Sequence, residues 1–384
     1  MKLKSLLLGS AAVLVAASGA RAADAIIVEP EPVEYVRICD AYGAGWFYIP
    51  GTETCLKFDG DVRVQYGFRE LHFDPADESS EHEFNYRARL NVRANNETEY
   101  GTLSTRVRFV AAGSTDSIGA DGCDFADPDA PTAGPHCDLT SAREGPGSAN
   151  TVVDWAVISL AGFRLGFADS YWATAGSYGY YQARFDGPYN FRNGLFFDYT
   201  WAGNGWTATI GLEDGNTSGE AGAPDGYAGI TYSGSGWYLA GIYYHDSSAD
   251  GGAWKFRADY DFGTNGFAVG GWYMSDDGDT DYVKGHAFGV TAKMNLADNM
   301  VLFAGYGQYD DQYFCPALTA NANHCVPENG NLDAENGFDT YTVGIGWNIV
   351  PGLLIQPEWT STWFEQGSTN NNFGRFSLRV VRSF

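Results

Sequence analysis

The sequence predicts an all-β fold: a transmembrane, antiparallel, up-and-down β-barrel of about sixteen strands. Two observations carry this. Segment after segment alternates apolar and polar side chains with a period of two, and the connections alternate between short turns and long acidic loops. Composition agrees. Aromatic residues make up 15% of the chain and Gly alone counts 49, with few Leu-rich runs, which suits short twisted strands and tight turns better than helices. After the N-terminus no segment reaches the roughly 18 apolar residues of a spanning helix.

The N-terminus reads as a secretory signal peptide. Lys2 and Lys4 precede the apolar run Leu6 to Ala17, and Ala20-Arg21-Ala22 supplies a small-x-small cleavage site. The apolar run is too short to cross a bilayer, so residues 1–22 are expected to be removed after Ala22. Cleavage takes away Lys2, Lys4 and Arg21 and no acid, so the formal charge of -25 becomes more negative still. Such an acidic balance argues against a nucleic-acid partner and permits a solvated, cation-binding exterior.

Residues 23–56 form a leader rather than a strand. Glu29-Pro-Glu-Pro32 is a stiff extended segment, and the run from Val36 to Leu56 carries Cys39 and Cys55. The other cysteines are also local in sequence: Cys123 with Cys137, and Cys315 with Cys325. Six thiols allow about 15 connectivities, so the local pairing is an inference from export to an oxidising compartment. Zinc is the rival reading, and only His136-Cys137 and His324-Cys325 approach the required spacing. No metal and no cofactor is expected.

The barrel domain is expected over 57–384. From Lys57 to Phe68, Phe58, Val62, Val64, Tyr66 and Phe68 alternate with polar residues that include Asp59, Asp61 and Arg63. From Glu83 to Asn95, Tyr86, Ala88, Leu90 and Val92 alternate with Arg87, Arg89, Asn91 and Arg93; from Thr102 to Ala111, Leu103, Thr105, Val107 and Phe109 alternate with Arg106 and Arg108. Strand-like runs follow at 151–161, 163–170, 195–202, 205–213, 226–234, 236–246, 252–263, 266–275, 283–294, 299–308, 338–349, 352–365 and 372–384. In the last of these, Phe376, Leu378, Val380 and Phe384 take one parity and Arg375, Ser377 and Arg379 the other. Arg382 breaks the pattern and is expected to snorkel to headgroups.

The short turns are Asn95–Tyr100, Ala161–Gly162, Ala202–Gly205, Gly234–Gly236, Gly263–Gly266, Asn295–Asn299 and Val350–Gly352. Long loops lie near 69–82, 113–150, 171–194, 213–226, 246–252, 275–283, 309–337 and 366–371. A soluble two-sheet sandwich has no reason to keep that alternation, whereas a barrel with periplasmic turns and external loops does. Full closure also satisfies every strand's backbone groups in lipid.

The run Val36-Arg-Ile-Cys-Asp-Ala-Tyr-Gly-Ala-Gly-Trp-Phe-Tyr-Ile-Pro-Gly-Thr-Glu-Thr-Cys-Leu56 closely resembles the N-terminal signature of alphaproteobacterial porins of the Rhizobiales type. The terminal Phe384 on an alternating strand is likewise similar to the closing strand of bacterial outer-membrane barrels. The resemblance implies a bacterial outer-membrane location, a homotrimer and a channel through which small hydrophilic solutes diffuse passively.

Little in the sequence asks for catalysis. There is no G-x-S-x-G elbow and no H-E-x-x-H, and the six histidines are scattered, so no catalytic residues are expected. Asp277-Gly-Asp-Thr-Asp281 begins like a calcium loop, but Tyr282 and Phe288 stand where an EF-hand needs Gly and Glu. External carboxylates such as Asp74, Asp77, Glu78, Glu81, Asp276, Asp277, Asp279 and Asp281 offer sites for cations bridging lipopolysaccharide phosphates.

The informative constellation is cationic. Arg63, Arg87, Arg89, Arg93, Arg106, Arg108, Arg375 and Arg379 share the non-lipid parity of four strands that closure makes contiguous. An arginine facing lipid at mid-depth costs roughly 2–4 kcal/mol, so these arginines require a watery lumen. They are expected to form a pore-lining basic wall, in part neutralised by inward carboxylates such as Asp59 and Asp61. A lumen of about sixteen strands is too wide for side chains to fill. The third long loop is the candidate for narrowing it, through Tyr178, Tyr180, Tyr181, Arg184, Asp186 and Arg192. Resemblance implies that this loop folds inward and faces the arginines. Two alternatives stay open: a substrate-specific channel, for example for sugars, and a barrel adhesin or enzyme.

Overall fold

The backbone ladder of this chain closes on itself. The computed structural model describes residues 37–72, 78–114, 150–175, 193–214, 223–247, 250–277, 280, 283, 285–309, 338–366 and 369–384. The folded elements belong to the unit Ile38–Phe384. A two-residue strand, β1 (Phe47–Tyr48), precedes the barrel. The barrel strands are β2 (Cys55–His72), β3 (Glu78–Thr98), β4 (Gly101–Ser114), β5 (Asn150–Leu160), β6 (Phe163–Asp169), β7 (Asn193–Gly203), β8 (Trp206–Glu213) and β9 (Asp225–Gly234). They continue as β10 (Trp237–Asp246), β11 (Gly251–Asp261), β12 (Ala268–Asp276), β13 (His286–Ala297), β14 (Met300–Tyr309), β15 (Phe338–Val350), β16 (Leu353–Gln366) and β17 (Thr369–Ser383). Each of β2–β17 pairs antiparallel with its sequence neighbours, and β17 pairs with β2, giving a closed barrel of sixteen strands.

The pleat sorts side chains inside out relative to a water-soluble protein. On β2, Val62 and Val64 are 46% and 50% exposed, while Arg63 and Gln65 between and beside them are buried. The same inversion runs round the sheet: Leu195, Phe197, Ile210, Leu212, Ile230, Phe256 and Val343 face out, and Asp198, Thr209, Glu213, Lys255, Thr342 and Glu358 face in. Apolar exteriors of this kind have their low-energy partner in hydrocarbon, not water. No described helix is long and apolar enough to cross a membrane; the strands do the crossing.

The short turns follow from local chemistry. Ala161-Gly162, Asn204-Gly205 and Ser235-Gly236 all have positive φ at both positions (54° and 90°, 53° and 81°, 52° and 81°). Two-residue hairpins of that hand match the right-handed twist of the strands they join.

One loop expectation is corrected. Much of 69–82 is ladder, because β2 runs to His72 and β3 starts at Glu78, with His72 opposite Glu78 and Phe68 opposite His82. The apolar alternation stops there, but backbone pairing needs no apolar face once the hairpin leaves the hydrocarbon. Glu78 and Glu81 therefore stand on β3 rather than in a loop.

The seam is completed by the leader. Gly60 N–H donates to the Phe384 carbonyl at 3.1 Å and Phe384 N–H to the Gly60 carbonyl at 3.0 Å. Beyond this point β1 takes over the same edge of β2, with Phe47 opposite Leu56 and Tyr48 opposite Cys55. A disulfide joins Cys39 to Cys55, and both pack with Trp46, Tyr42 and Tyr48. Tyr42 Oη donates to Glu97 at 2.7 Å, and burial together with that acidic neighbour pushes its phenol up to about 12. Cys123, Cys137, Cys315 and Cys325 lie outside the described residues. Arg382 does not simply reach for headgroups: its Nη1 donates to the carbonyls of Pro351 (3.2 Å) and Ser383 (2.8 Å), closing the β15–β16 turn.

Candidate functional site

The lumen wall is built by residues of one parity, and its charge is distributed unevenly around the ring. All eight sequence-selected arginines lie on the inner face of β17, β2, β3 and β4. Arg63, Arg87, Arg108 and Arg375 are buried there. Register sets Arg63 directly opposite Arg87 and Arg93 directly opposite Arg106. Arg375 lies across Gly67, where an added Cβ would meet its Nη2 at 3.1 Å.

Like charges set opposite one another repel, so the wall needs acceptors. Asp61 sits 3.6 Å from Arg87 and 3.9 Å from Arg89. Asp59 pairs with Arg93 at 2.8 Å and accepts from the Asn91 amide at 2.8 Å. The carbonyl of the same Asn91 receives Nε and Nη2 of Arg106 at 3.1 and 2.8 Å. Arg379 Nε donates to Gln65 Oε1 at 3.0 Å. Two of the arginines, Arg106 and Arg379, are thus held among the described residues by neutral amide oxygens, which satisfy the guanidinium without cancelling its charge.

Arg108 is held differently. The register shifts between Arg108 and Phe109, which sets both Asp154 and Trp155 of β5 beside it. Asp154 accepts from Nε at 2.7 Å and Asp169 from Nη2 at 3.2 Å. Trp155 lies under two guanidiniums, 4.0 Å from Arg106 and 4.7 Å from Arg108. A β-bulge commonly re-aims a side chain in this way.

The facing arc, β6–β11, contains β10, which is eight strands from β2 in either direction. Both of its arginines are closed on carboxylates. Arg164 of β6 forks onto Asp198 of β7, Nε at 2.9 Å, and Asp198 also accepts from Tyr227 Oη at 2.9 Å. Arg257 pairs with Asp259 on the same strand.

Between these arcs, the first residues after β6 turn onto the inner wall. Ser170 caps a single helical turn, α1 (Tyr171–Thr174), by accepting the Trp172 amide at 3.2 Å. Trp172 is fully buried, its amide also donates to Tyr244 Oη at 3.0 Å, and its carbonyl accepts from Lys255. Tyr244 Oη donates to Glu213 at 3.0 Å. Tyr171, Tyr227 and Tyr244 stack in series, with centroids 5.1 and 4.9 Å apart. Glycines make the room: a Cβ at Gly229 would lie 2.6 Å from the Tyr171 ring, and one at Gly211 2.5 Å from Tyr227. Tyr178, Tyr180, Tyr181, Arg184, Asp186 and Arg192, further along this connection, lie outside the described residues.

Sequence reading missed Asp154, Trp155, Asp198, Glu213, Lys255, Arg257 and Asp259. Lys255, Arg257 and Asp259 were findable, since they alternate with Phe256 and Ala258 as Arg87 and Arg89 do with Ala88. Asp154 was not, because the bulge that aims it leaves no mark on the period.

A closed sixteen-stranded sheet, apolar outside and charged inside, defines a β-barrel channel of the outer membrane. The chain belongs to the Porin subfamily, whose family model matches residues 24–378. Porin Omp2a of Brucella melitensis is 33% identical over the full length of both chains, and Porin Omp2b of Brucella neotomae 32% identical over the same full extent. Among solved structures, the outer membrane channel DcaP of Acinetobacter baumannii superposes with a TM-score of 0.60 at 13% identity, covering 88% of this chain and 99% of that one. A loop-deletion form of OmpT from Vibrio cholerae gives 0.55 at 11% identity, covering 87% and 100%. The protein is a porin, a multi-pass β-barrel of the outer membrane.

Proposed function

We propose that this porin is a general-diffusion channel, passing small hydrophilic solutes and ions passively through a lumen whose basic arc biases it toward anions. The observation that carries this reading is the asymmetry of the inner wall: on the β6–β11 side Arg164 and Arg257 are each closed on a carboxylate, and they face an arginine-rich arc on β17 and β2–β4. Charge fixed on a pore wall and pore width are together sufficient to sort solutes, with no cofactor and no catalytic group. In this reading Arg63, Arg87, Arg89, Arg93, Arg106, Arg108, Arg375 and Arg379 line the conduction path. The connection after α1 continues into the lumen and, through Tyr178, Tyr180, Tyr181, Arg184, Asp186 and Arg192, narrows it. The chain is exported by residues 1–22, works as a homotrimer, and meets lipopolysaccharide through its acidic loops.

Single-channel recording in planar bilayers tests the reading. Stepwise insertions of uniform, ohmic conductance are expected. A purified, correctly folded barrel that inserts and passes no current would overturn it in favour of a plugged adhesin or enzyme.

A further inference from the structure

The inner wall carries two groups of hydroxyl side chains, and they differ in what they touch. On β15 and β16, Thr340 pairs with Thr362 (3.3 Å) and Thr342 with Thr360 (2.9 Å), all four buried. Those hydroxyls serve each other across the ladder, and Thr360 also donates to Glu358 Oε1 at 3.3 Å. The second group lies near the short-turn end of β5–β9, around a cavity of about 440 Å³. Thr207 and Thr231 are direct cross-strand neighbours there, and Ser159 joins them from β5. These three hydroxyls are engaged by no other described residue and are partly solvent-accessible. Beside them Thr200 and Thr209 hydrogen-bond at 2.9 Å.

The rest of the cavity wall narrows the chemistry of an occupant. Tyr171 of α1 supplies an aromatic surface, held from behind by Tyr227. Arg164 also lines the cavity, but both arms of its fork close on Asp198, so the site carries no net charge. A free anion would have to compete with a carboxylate already in place. Hydroxyls that can each donate and accept, beside one aromatic ring in a cavity within the usual range for small-molecule sites, suit a solute with the same dual groups on an apolar ring frame.

We propose that this cavity is a binding site for neutral polyhydroxylated solutes, sugars or polyols, so that the channel holds such solutes transiently as well as passing them. The inference rests on the diffusion-channel reading for its physiological sense but not for its test. Thr207 and Thr231 are the groups that hold the solute, and Tyr171 is the surface on which its ring packs.

Saturation-transfer NMR on the full barrel, in a detergent without a sugar headgroup, tests binding of maltose directly. Wild-type protein should show a saturable signal with half-saturation in the millimolar range. The double variant Thr207→Val, Thr231→Val keeps shape and strand preference while removing both hydroxyls, and should weaken binding at least fivefold. The matched control Thr340→Val, Thr362→Val removes a pair whose partners among the described residues are only each other, and should leave binding within twofold of wild type. A signal that rises linearly with maltose, or equal weakening by both double variants, would overturn the site. Single-channel recording of the same proteins separates the readings: absence of current sinks the diffusion channel, whereas normal current with no saturable maltose signal sinks only the site.

Discussion

Replacing Tyr244 with Phe should loosen α1 from the inner wall while leaving the barrel intact. The side chain is fully buried, and its hydroxyl accepts from the Trp172 amide at 3.0 Å and donates to Glu213 at 3.0 Å. Phenylalanine keeps the ring, so the stack on Tyr227 survives. What disappears is one hydrogen bond to a carboxylate and two to neutral groups, the Trp172 amide and Ser170 Oγ, the latter at 3.2 Å. Ser170 Oγ stays 3.2 Å from the Trp172 amide and 3.1 Å from Glu213, so neither group loses its last contact. The loss should therefore be about 3 kcal/mol, the scale of a single charged hydrogen bond rather than of two orphaned groups. At 1.4 kcal/mol per tenfold, that is roughly a hundredfold more of the undocked state. Ala173 is almost completely buried beside Trp172, so a cysteine placed there reports undocking through its thiol-labelling rate, measured against a parent lacking that substitution. Labelling of Ala173→Cys should accelerate by one to two orders of magnitude when Tyr244→Phe is added. An unchanged rate in a folded barrel would refute the claim that this hydroxyl anchors α1.

Other perturbations follow from the same contacts. Arg87→Ala with Arg106→Ala should shift the reversal potential in a salt gradient toward cations; an unchanged potential would count against the basic arc as the selectivity element. Replacing Cys39 and Cys55 with Ser opens a loop whose ends are 16 residues apart, which by chain entropy should weaken leader docking by about 3 kcal/mol; protease cleavage within the leader, with the barrel left intact, is the readout. Tyr42 gives a pH dependence. Its phenol is raised from 10.0 to about 12 in the fold, so docking is fully supported below pH 10 and that support is lost as pH rises through 12. Trp46, whose ring is 5.4 Å from Tyr42, should report the loss as a fluorescence change missing from Trp46→Phe, with Tyr42→Phe removing its alkaline part.

Most of the fold was legible because a barrel writes itself locally. The period of two on β2–β4 and the turn pairs Ala161-Gly162 and Ser235-Gly236 are nearest-neighbour signals, and the closed order follows once turns and loops alternate. The arginine parity was legible for the same reason. What escaped depends on departures from period. The bulge that aims Asp154 and Trp155 at Arg108 lies inside a run of apolar residues, and the hairpin joining β2 to β3 continues pairing after its apolar signal has ended. The docking of Trp172 on Tyr244 and Lys255 joins segments more than seventy residues apart, and no local pattern encodes it.

The edge of β2 is shared by two segments that approach it end to end. Phe384 stops opposite Gly60, and β1 begins again opposite Leu56. Both run antiparallel to β2, so residues appended after Phe384 would extend β17 along that edge into Phe47. A C-terminal affinity tag is thus a direct competitor of the disulfide-tied leader for a few backbone hydrogen bonds. Of the two ends of this barrel, the long-loop side is the one that can carry added sequence without disturbing the seal.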